Sequence, residues 1–444
     1  MLIRIGSIKF TFQIMQWNLM KLSFFAIKKC NEYSNVSMSK ENLIIALDKL
    51  AKAENESQGS QYDVSENILD FLSALSNEQL WFEENKWDQE YNRIYKMFCD
   101  INKDPLYDQS ERVEYINISD IFKDVTGYDI ESFCRMYFIV FAIAKDNANV
   151  GEYLYSNPSN YLDKQYSTQN IINFVMYISK SIEYIKNANT YALLRAYPLI
   201  RVNEKNIIMT NIAAYIKSLP DIVYWIVRDR FKESGSQQFT NYFGYCFECY
   251  VEELLGTYIS SYEKIPETGK TKKADWMIET QKYAIIVEQK ASLFGITAKD
   301  TSNESEAIKS IQRYRLKVIK EAFEQLYETS ILTEKEIIRI ILSYEKIYDE
   351  GMMKQEALKE ISIAETEKYS YWIVNIEDFE NLIATLGNDE EKFNEIMEKK
   401  IALEKEPQLI GKSLKYINDS KYLGDYMNKI EKFNKHLEKL TYRD

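Results

Sequence analysis

Glycine and proline, the residues that most often interrupt regular secondary structure, are scarce in this chain. There are 13 glycines and 6 prolines among 444 residues. A loop-rich all-β fold needs many more turn-forming residues than this. Long stretches rich in Glu, Lys, Leu and Ile run with few breakers between them, which favours helices. The sequence therefore predicts a predominantly α-helical protein.

The length of the chain predicts more than one folding unit. A mass of 52.5 kDa exceeds what a single hydrophobic core ordinarily supports. Residues 1–232 read as a mainly helical region with a short hairpin near 198–210. Apolar residues recur there at spacings of three and four in Glu41–Ala53, Val64–Leu75 and Asn170–Ile185. The small polar segment at 233–238 predicts a linker, 237–388 a mixed α/β domain, and 389–444 a charged helical tail.

Histidine is almost absent, and this excludes several classes of enzyme. The only histidine is His436, close to the C-terminus. Ser-His-Asp hydrolases, Cys-His proteases, HNH-type and phospholipase-D-type nucleases, and His-ligated zinc enzymes all need imidazole in their sites. Any catalysis here must rest on carboxylates, lysines, tyrosines or a bound metal ion.

The five cysteines are an odd number scattered along the chain, which is not the pattern of a disulfide framework. A reducing compartment, the cytoplasm, is the expectation. Cys246 and Cys249 have C-x-x-C spacing, but without further ligands they predict two semi-buried helix thiols rather than a zinc site.

No membrane association is expected. The N-terminus carries charged residues among its apolar ones, so no clean signal peptide is visible. The most apolar run, Met136–Ala144, is too short to cross a bilayer and predicts a buried helix.

After residue 237 the pattern alternates between helix and strand. The expected elements, in chain order, are helix Phe239–Ser261, strands Ala274–Ile278 and Tyr283–Ala291, helix Ala307–Tyr327, strands Ile337–Ser343 and Tyr371–Ile376, and helix Asp378–Leu386.

Three charged residues fall at the ends of two of these strands. Glu288 and Lys290 point to one side of their strand because side chains alternate. If the two strands form a hairpin with an even-numbered loop, Asp275 lies opposite Ile286 or Glu288, on that same side. Two converging carboxylates, with water and the Gln289 backbone carbonyl, suit Mg²⁺ or Mn²⁺. Such an ion would activate water, and Lys290 would position that water and offset charge in the transition state.

The residues around this pattern resemble the PD-(D/E)XK, or restriction-endonuclease-like, nuclease superfamily. Its members carry a Gly-x-x-Phe-Glu helix, here Gly244–Glu248, then an Asp on one strand and Glu-x-Lys on the next. Asp275 and Glu288–Lys290 match, with Ala274 where the superfamily name has Pro. The resemblance implies a central mixed sheet flanked by helices. It also implies that Asp275, Glu288, Gln289 and Glu248 bind metal and that Glu248, Asp275, Glu288 and Lys290 are catalytic.

The expected reaction is phosphodiester hydrolysis, with DNA as the substrate. Family members often carry Gln or Lys on the following helix, and Gln312 and Gln325 are the candidates here. From residue 262 to 320 there are twelve Lys or Arg against eight Asp or Glu, within a chain of net charge −12. Arg313, Lys317 and Lys320 share one helical face, either to contact phosphates or simply as the solvated side of the helix.

The architecture also resembles bacterial anti-phage defence effectors, in which a helical region senses infection or binds a protein partner. Oligomeric state is left open. Two alternatives to the enzyme remain at this point. One is an inactive nuclease-like fold that acts as a scaffold, and the other is a helical interaction protein whose Asp…Glu-x-Lys match is accidental.

Overall fold

The computed structural model describes most of the chain. The described residues are 2–5, 8–11, 16–29, 38–58, 64–83, 87–103, 113–158, 166–232, 237–266, 273–299, 304–329 and 333–406. Most of the predicted linker, residues 233–236, lies outside them, as do His436 and the part of the predicted tail beyond 406.

The first half of the chain is mainly helical, as predicted. Its helices are α1 (Gln16–Lys29), α2 (Lys40–Gln58), α3 (Val64–Glu83), α4 (Trp87–Tyr95), α5 (Ile118–Thr126), α6 (Ile130–Asp146), α7 (Val150–Ser156), α8 (Thr168–Ile178), α9 (Ile182–Lys186), α10 (Ala192–Ala196), α11 (Ile212–Lys217) and α12 (Leu219–Lys232). A π-helical turn (Lys96–Asp100) and a 3₁₀ turn (Ile101–Lys103) continue α4. Pro220 lies in the first turn of α12, where its missing N–H costs no hydrogen bond.

Two small sheets accompany these helices. Strands β1 (Leu2–Ile5) and β2 (Ile8–Thr11) form an antiparallel pair that the sequence patterns did not predict. Strands β3 (Lys180–Ser181), β4 (Leu199–Arg201) and β5 (Ile207–Met209) form the second sheet. The antiparallel pair β4–β5 is the hairpin expected near 198–210.

The second half contains a five-stranded mixed sheet. Its elements are α13 (Gln238–Tyr258), β6 (Tyr262–Lys264), β7 (Trp276–Glu279), β8 (Tyr283–Lys290), α14 (Glu304–Tyr314), α15 (Glu321–Glu328), β9 (Glu336–Ser343), α16 (Glu350–Leu358), β10 (Tyr371–Asn375), α17 (Ile376–Asn388) and α18 (Glu390–Lys405). The strand order is β10-β9-β8-β7-β6, with β6, β7 and β8 antiparallel and β8, β9 and β10 parallel. A π-helical segment, Arg315–Lys320, joins α14 to α15, so the predicted helix at 307–327 is one continuous helical run.

Helices cover both faces of this sheet. Alternate strand residues such as Ile285 and Val287 pack with α13 and with the helices before residue 232. The intervening residues, such as Ile286 and Ile341, pack with α14, α15 and α16. The mixed sheet flanked by helices is therefore confirmed. The apolar strand interiors follow from this burial on two faces.

One hydrophobic cluster crosses the predicted boundary between the helical region and the α/β unit. It includes Tyr91 and Phe133 from the first half, and Phe243, Val287 and Trp372 from the second. The two regions are packed together through this cluster, and their division at 233–236 stays a prediction about folding units.

The apolar run Met136–Ala144 lies inside α6, and most of its residues are buried. Within the described ranges, no helix combines the length and apolar character that a bilayer crossing requires.

The buried Asp349, between α3 and α16, gives a testable pH dependence. Burial raises the pKa of its carboxyl from 3.8 to about 6, although the Ser73 hydroxyl donates to it and opposes this rise. The folded state therefore binds this proton more tightly than the unfolded chain, and stability falls as pH rises from about 4 to about 6. We expect Asp349→Asn to be about 1–3 kcal/mol more stable than wild type at pH 7 and no more stable near pH 4. Urea denaturation across this range measures the difference.

Asp146→Asn, at an exposed position at the end of α6, is the matched control and should leave the pH profile unchanged. Parallel profiles for wild type and Asp349→Asn would contradict the prediction.

Candidate functional site

The β7–β8 hairpin has one of the two registers that the sequence left open. Trp276 pairs with Val287 and Glu279 pairs with Ala284. Continued by one residue, this register brings Asp275 opposite Glu288. The acid of the first strand and the Glu-x-Lys of the second therefore meet at one end of the hairpin.

Asp275 leaves the regular ladder at this point. Its N–H donates to the Val287 carbonyl (3.0 Å), and its carboxylate Oδ2 accepts from the Gln289 N–H (2.7 Å). The Gln289 side chain turns to the α13 face, where its Oε1 accepts from Trp276 Nε1 (3.1 Å). The contact of Gln289 with the acid is thus made by its backbone N–H, and the role of its carbonyl as a metal ligand stays a prediction.

Glu288 and Lys290 lie together on the other face of β8. Glu288 is 2% exposed, at the end of the apolar run Tyr283–Val287. Lys290 Nζ donates to Glu288 Oε1 (2.6 Å) and to Gln325 Oε1 of α15 (2.8 Å). The glutamine predicted from the family pattern thus contacts the predicted catalytic lysine. A buried carboxylate is costly without such a partner, so this pair offsets part of the desolvation.

The electrostatic setting of Asp275 disfavours its ionised form. The pKa of its carboxyl is raised from 3.8 to about 6, mainly by burial and to a smaller extent by the nearby Glu248 carboxylate. The Gln289 N–H and the ammonium groups of Lys290 and Lys264 lower it. A cation next to Asp275 would relieve the penalty on the carboxylate form.

Glu248 belongs to a helix on the opposite face of the sheet from Gln325. It lies on α13, whose apolar residues pack against the face of the sheet opposite to α15. Its carboxylate forms an ion pair with Lys264, the last residue of β6. No sequence motif marks Lys264, because β6 is a three-residue strand with mostly exposed side chains.

The donor set fits a hard divalent ion held by two carboxylates. Asp275 and Glu288 offer oxygen ligands at adjacent positions, which suits Mg²⁺ or Mn²⁺. Among the described residues, no group of three or more His, Cys, Asp or Glu side chains is arranged to hold a metal ion. Glu248, engaged by Lys264, does not join the other two acids in such a group.

The predicted nucleic-acid contacts on the helix after β8 are in different environments. Arg313 and Lys317 are exposed, while Lys320 donates to Glu324 (2.8 Å). Gln312 Nε2 donates to Asp70 Oδ2 of α3 (2.9 Å), so this amide lies at the contact between α14 and α3.

Cys246 and Cys249 are buried in α13, as expected for structural helix thiols. Burial raises the pKa of both thiols, which keeps them protonated and unreactive.

A charged cavity lies beyond the carboxyl ends of β9 and β10, beneath α4 and α12. It encloses about 740 Å³, including the part open to solvent. Three ion pairs take up most of its charge: Lys299–Glu345 (3.1 Å), Lys346–Glu377 (2.6 Å) and Arg93–Glu380 (2.7 Å). Since the last pair joins α4 to α17, the cavity wall ties the two halves of the chain together.

The fold and site together define a mixed α/β sheet, covered by helices, with a carboxylate–lysine cluster at one hairpin end. Comparison of the chain with protein-family models, with curated proteins and with solved structures found no match.

Proposed function

We propose that the chain is a metal-dependent nuclease of the PD-(D/E)XK type that hydrolyses phosphodiester bonds in DNA. The observation that carries this proposal is the meeting of Asp275 with the Glu288–Lys290 pair at the end of the β7–β8 hairpin. The adjoining Gln325 contact supports it, because it orients the lysine at the same point.

The roles of the residues follow from their chemistry. Asp275 and Glu288 would hold one Mg²⁺ or Mn²⁺ ion, with the Gln289 carbonyl as a third oxygen donor. When bound, such an ion polarises the phosphate and lowers the pKa of the attacking water. Lys290, fixed by Glu288 and Gln325, would orient that water and balance the charge that develops on the phosphate oxygens.

The exposed Arg313 and Lys317 are suited to contact the phosphates of a DNA backbone, where they would add affinity without sequence preference. The helical region before residue 232 would then serve as the sensor or partner-binding part of an anti-phage defence effector. The likeness of architecture to such effectors supports this biological setting.

Metal dependence is the direct test of the activity. We expect cleavage of plasmid DNA in Mg²⁺ or Mn²⁺, and loss of cleavage when EDTA removes the ion. Isothermal titration of Mn²⁺ alone should show binding to wild type, weakened at least about tenfold in Asp275→Asn, because one of two charged ligands is lost.

The control for this titration is Asp146→Asn, which should bind Mn²⁺ as wild type does. A folded protein that neither binds Mn²⁺ nor cleaves DNA or RNA would overturn the proposal and favour a scaffold with a nuclease-like fold.

A further inference from the structure

An additional cation, Lys264, lies at the rim of the candidate site. It ends β6, pairs in register with Trp276, and its Nζ lies 5.7 Å from the centre of the Trp276 ring. The next residue continues the ladder, since the Ile265 N–H donates to the Asp275 carbonyl (2.8 Å). The backbone of β6 therefore holds Lys264 one position from the first acid of the site.

Lys264 and Glu248 form an ion pair, and their charges have opposite effects on the Asp275 carboxyl. Of the two, Glu248 raises the pKa of Asp275 and Lys264 lowers it. Both charges lie next to Asp275, because β6 holds Lys264 one position away and Glu248 forms an ion pair with Lys264. While Lys264 neutralises Glu248, a divalent ion at Asp275 receives little attraction from the Glu248 carboxylate.

The pair is open enough to exchange partners. Its side chains are 48% exposed at Lys264 and 24% exposed at Glu248. An exposed ion pair of this kind is worth only about 0–1 kcal/mol, so an incoming anion competes with it at small cost. A phosphodiester that reaches Asp275 and Lys290 would meet the Lys264 ammonium at the same rim.

We propose that Lys264 is a substrate-binding residue that exchanges Glu248 for a backbone phosphate of the nucleic acid. The exchange releases the Glu248 carboxylate toward Asp275 and strengthens divalent-ion binding only when substrate is present. This inference rests on the proposed nuclease function and adds to it a coupling between substrate and metal.

The coupling predicts opposite effects of one substitution on two ligands. Lys264→Met removes the neutralising charge, so Mn²⁺ alone should bind about 3–10-fold more tightly than to wild type. A short DNA duplex, measured with Ca²⁺ in place of Mg²⁺, should bind more weakly. Its affinity should also depend less on salt, with the slope of log K against log salt reduced by about one.

Further variants of Lys264 and Glu248 test whether the lost charge causes these two changes in affinity. Lys264→Arg should behave as wild type in both titrations because it keeps the charge. In the Glu248→Gln background, Lys264→Met should no longer tighten Mn²⁺ binding, since no carboxylate is left to release.

Lys282→Met is the matched control. Lys282 is also 48% exposed and also pairs with a glutamate, Glu398, but it lies at the other end of β8. It should change neither titration. Lys264→Met could instead fold with a changed melting temperature and unchanged affinities for both ligands. Lys264 would then only stabilise the edge strand β6, and the inference would be wrong.

The failure of this inference is distinguishable from failure of the proposed function. Wild type that binds Mn²⁺ and cleaves DNA, with unchanged affinities in Lys264→Met, overturns only the exchange. Wild type that neither binds Mn²⁺ nor cleaves nucleic acid overturns both.

Discussion

Lys290→Ala is expected to lower the rate of metal-dependent DNA cleavage by about 10²–10³-fold, the loss typical when one group that stabilises transition-state charge is removed. The Lys290 ammonium is held by Glu288 and Gln325, so its position is fixed before substrate arrives. Single-turnover cleavage at saturating Mg²⁺ measures the chemical step. Mn²⁺ binding should persist in this variant, because both carboxylates remain.

Lys335→Ala is the control for this prediction. Lys335 precedes β9, at the opposite end of the sheet, and pairs with the exposed Glu279. Its substitution should leave the cleavage rate within about twofold. Equal rates for Lys290→Ala and wild type would show that the lysine has no part in the reaction.

Arg93→Met is expected to destabilise the protein by about 3–5 kcal/mol, the usual cost of removing one partner of a buried ion pair. Arg93 on α4 is 4% exposed and donates to both carboxylate oxygens of Glu380 on α17, at 2.7 and 3.0 Å. The Tyr250 hydroxyl also donates to Glu380 (2.6 Å). The variant leaves a buried carboxylate without its cation. Urea denaturation at neutral pH measures the loss.

Two further variants test this cause. Arg93→Met with Glu380→Leu removes both charges and should recover most of the lost stability. Arg228→Met, at a partly exposed pair with Asp229 (3.5 Å), should stay within about 0.5 kcal/mol of wild type. A double variant as unstable as Arg93→Met alone would mean that packing, and not charge, accounts for the effect.

The β7–β8 hairpin shows how much of the candidate site local sequence patterns can predict. The apolar run Tyr283–Val287 predicted a buried strand, followed by the charged Glu288 and Lys290, and this is what the structure contains. The same pattern allowed two registers for Asp275, because a loop of either even length keeps side-chain parity. In the structure Trp276 pairs with Val287, and this register places Asp275 beside Glu288.

Other features depended on partners distant in sequence. Strand β6 carries no strong β pattern and forms because β7 offers it a free edge. From the sequence alone, Gln312 is expected to be an exposed helix residue. In the structure α3 packs on α14, and Asp70 of α3 forms a hydrogen bond with Gln312. No local pattern predicts that contact, since 242 residues separate the two side chains.

The scarcity of glycine and proline, together with long stretches rich in Glu, Lys, Leu and Ile, predicted a mainly helical chain from the sequence alone, because few residues are available to interrupt a helix. The near-absence of histidine limited any catalytic chemistry to carboxylates, lysines, tyrosines or a bound metal ion. Only the tertiary structure decided that Glu248 pairs with Lys264 while Lys290 turns to Glu288 and Gln325. The reason is physical: α13 and α15 pack on opposite faces of one sheet, and burial on each face determines which charges can meet.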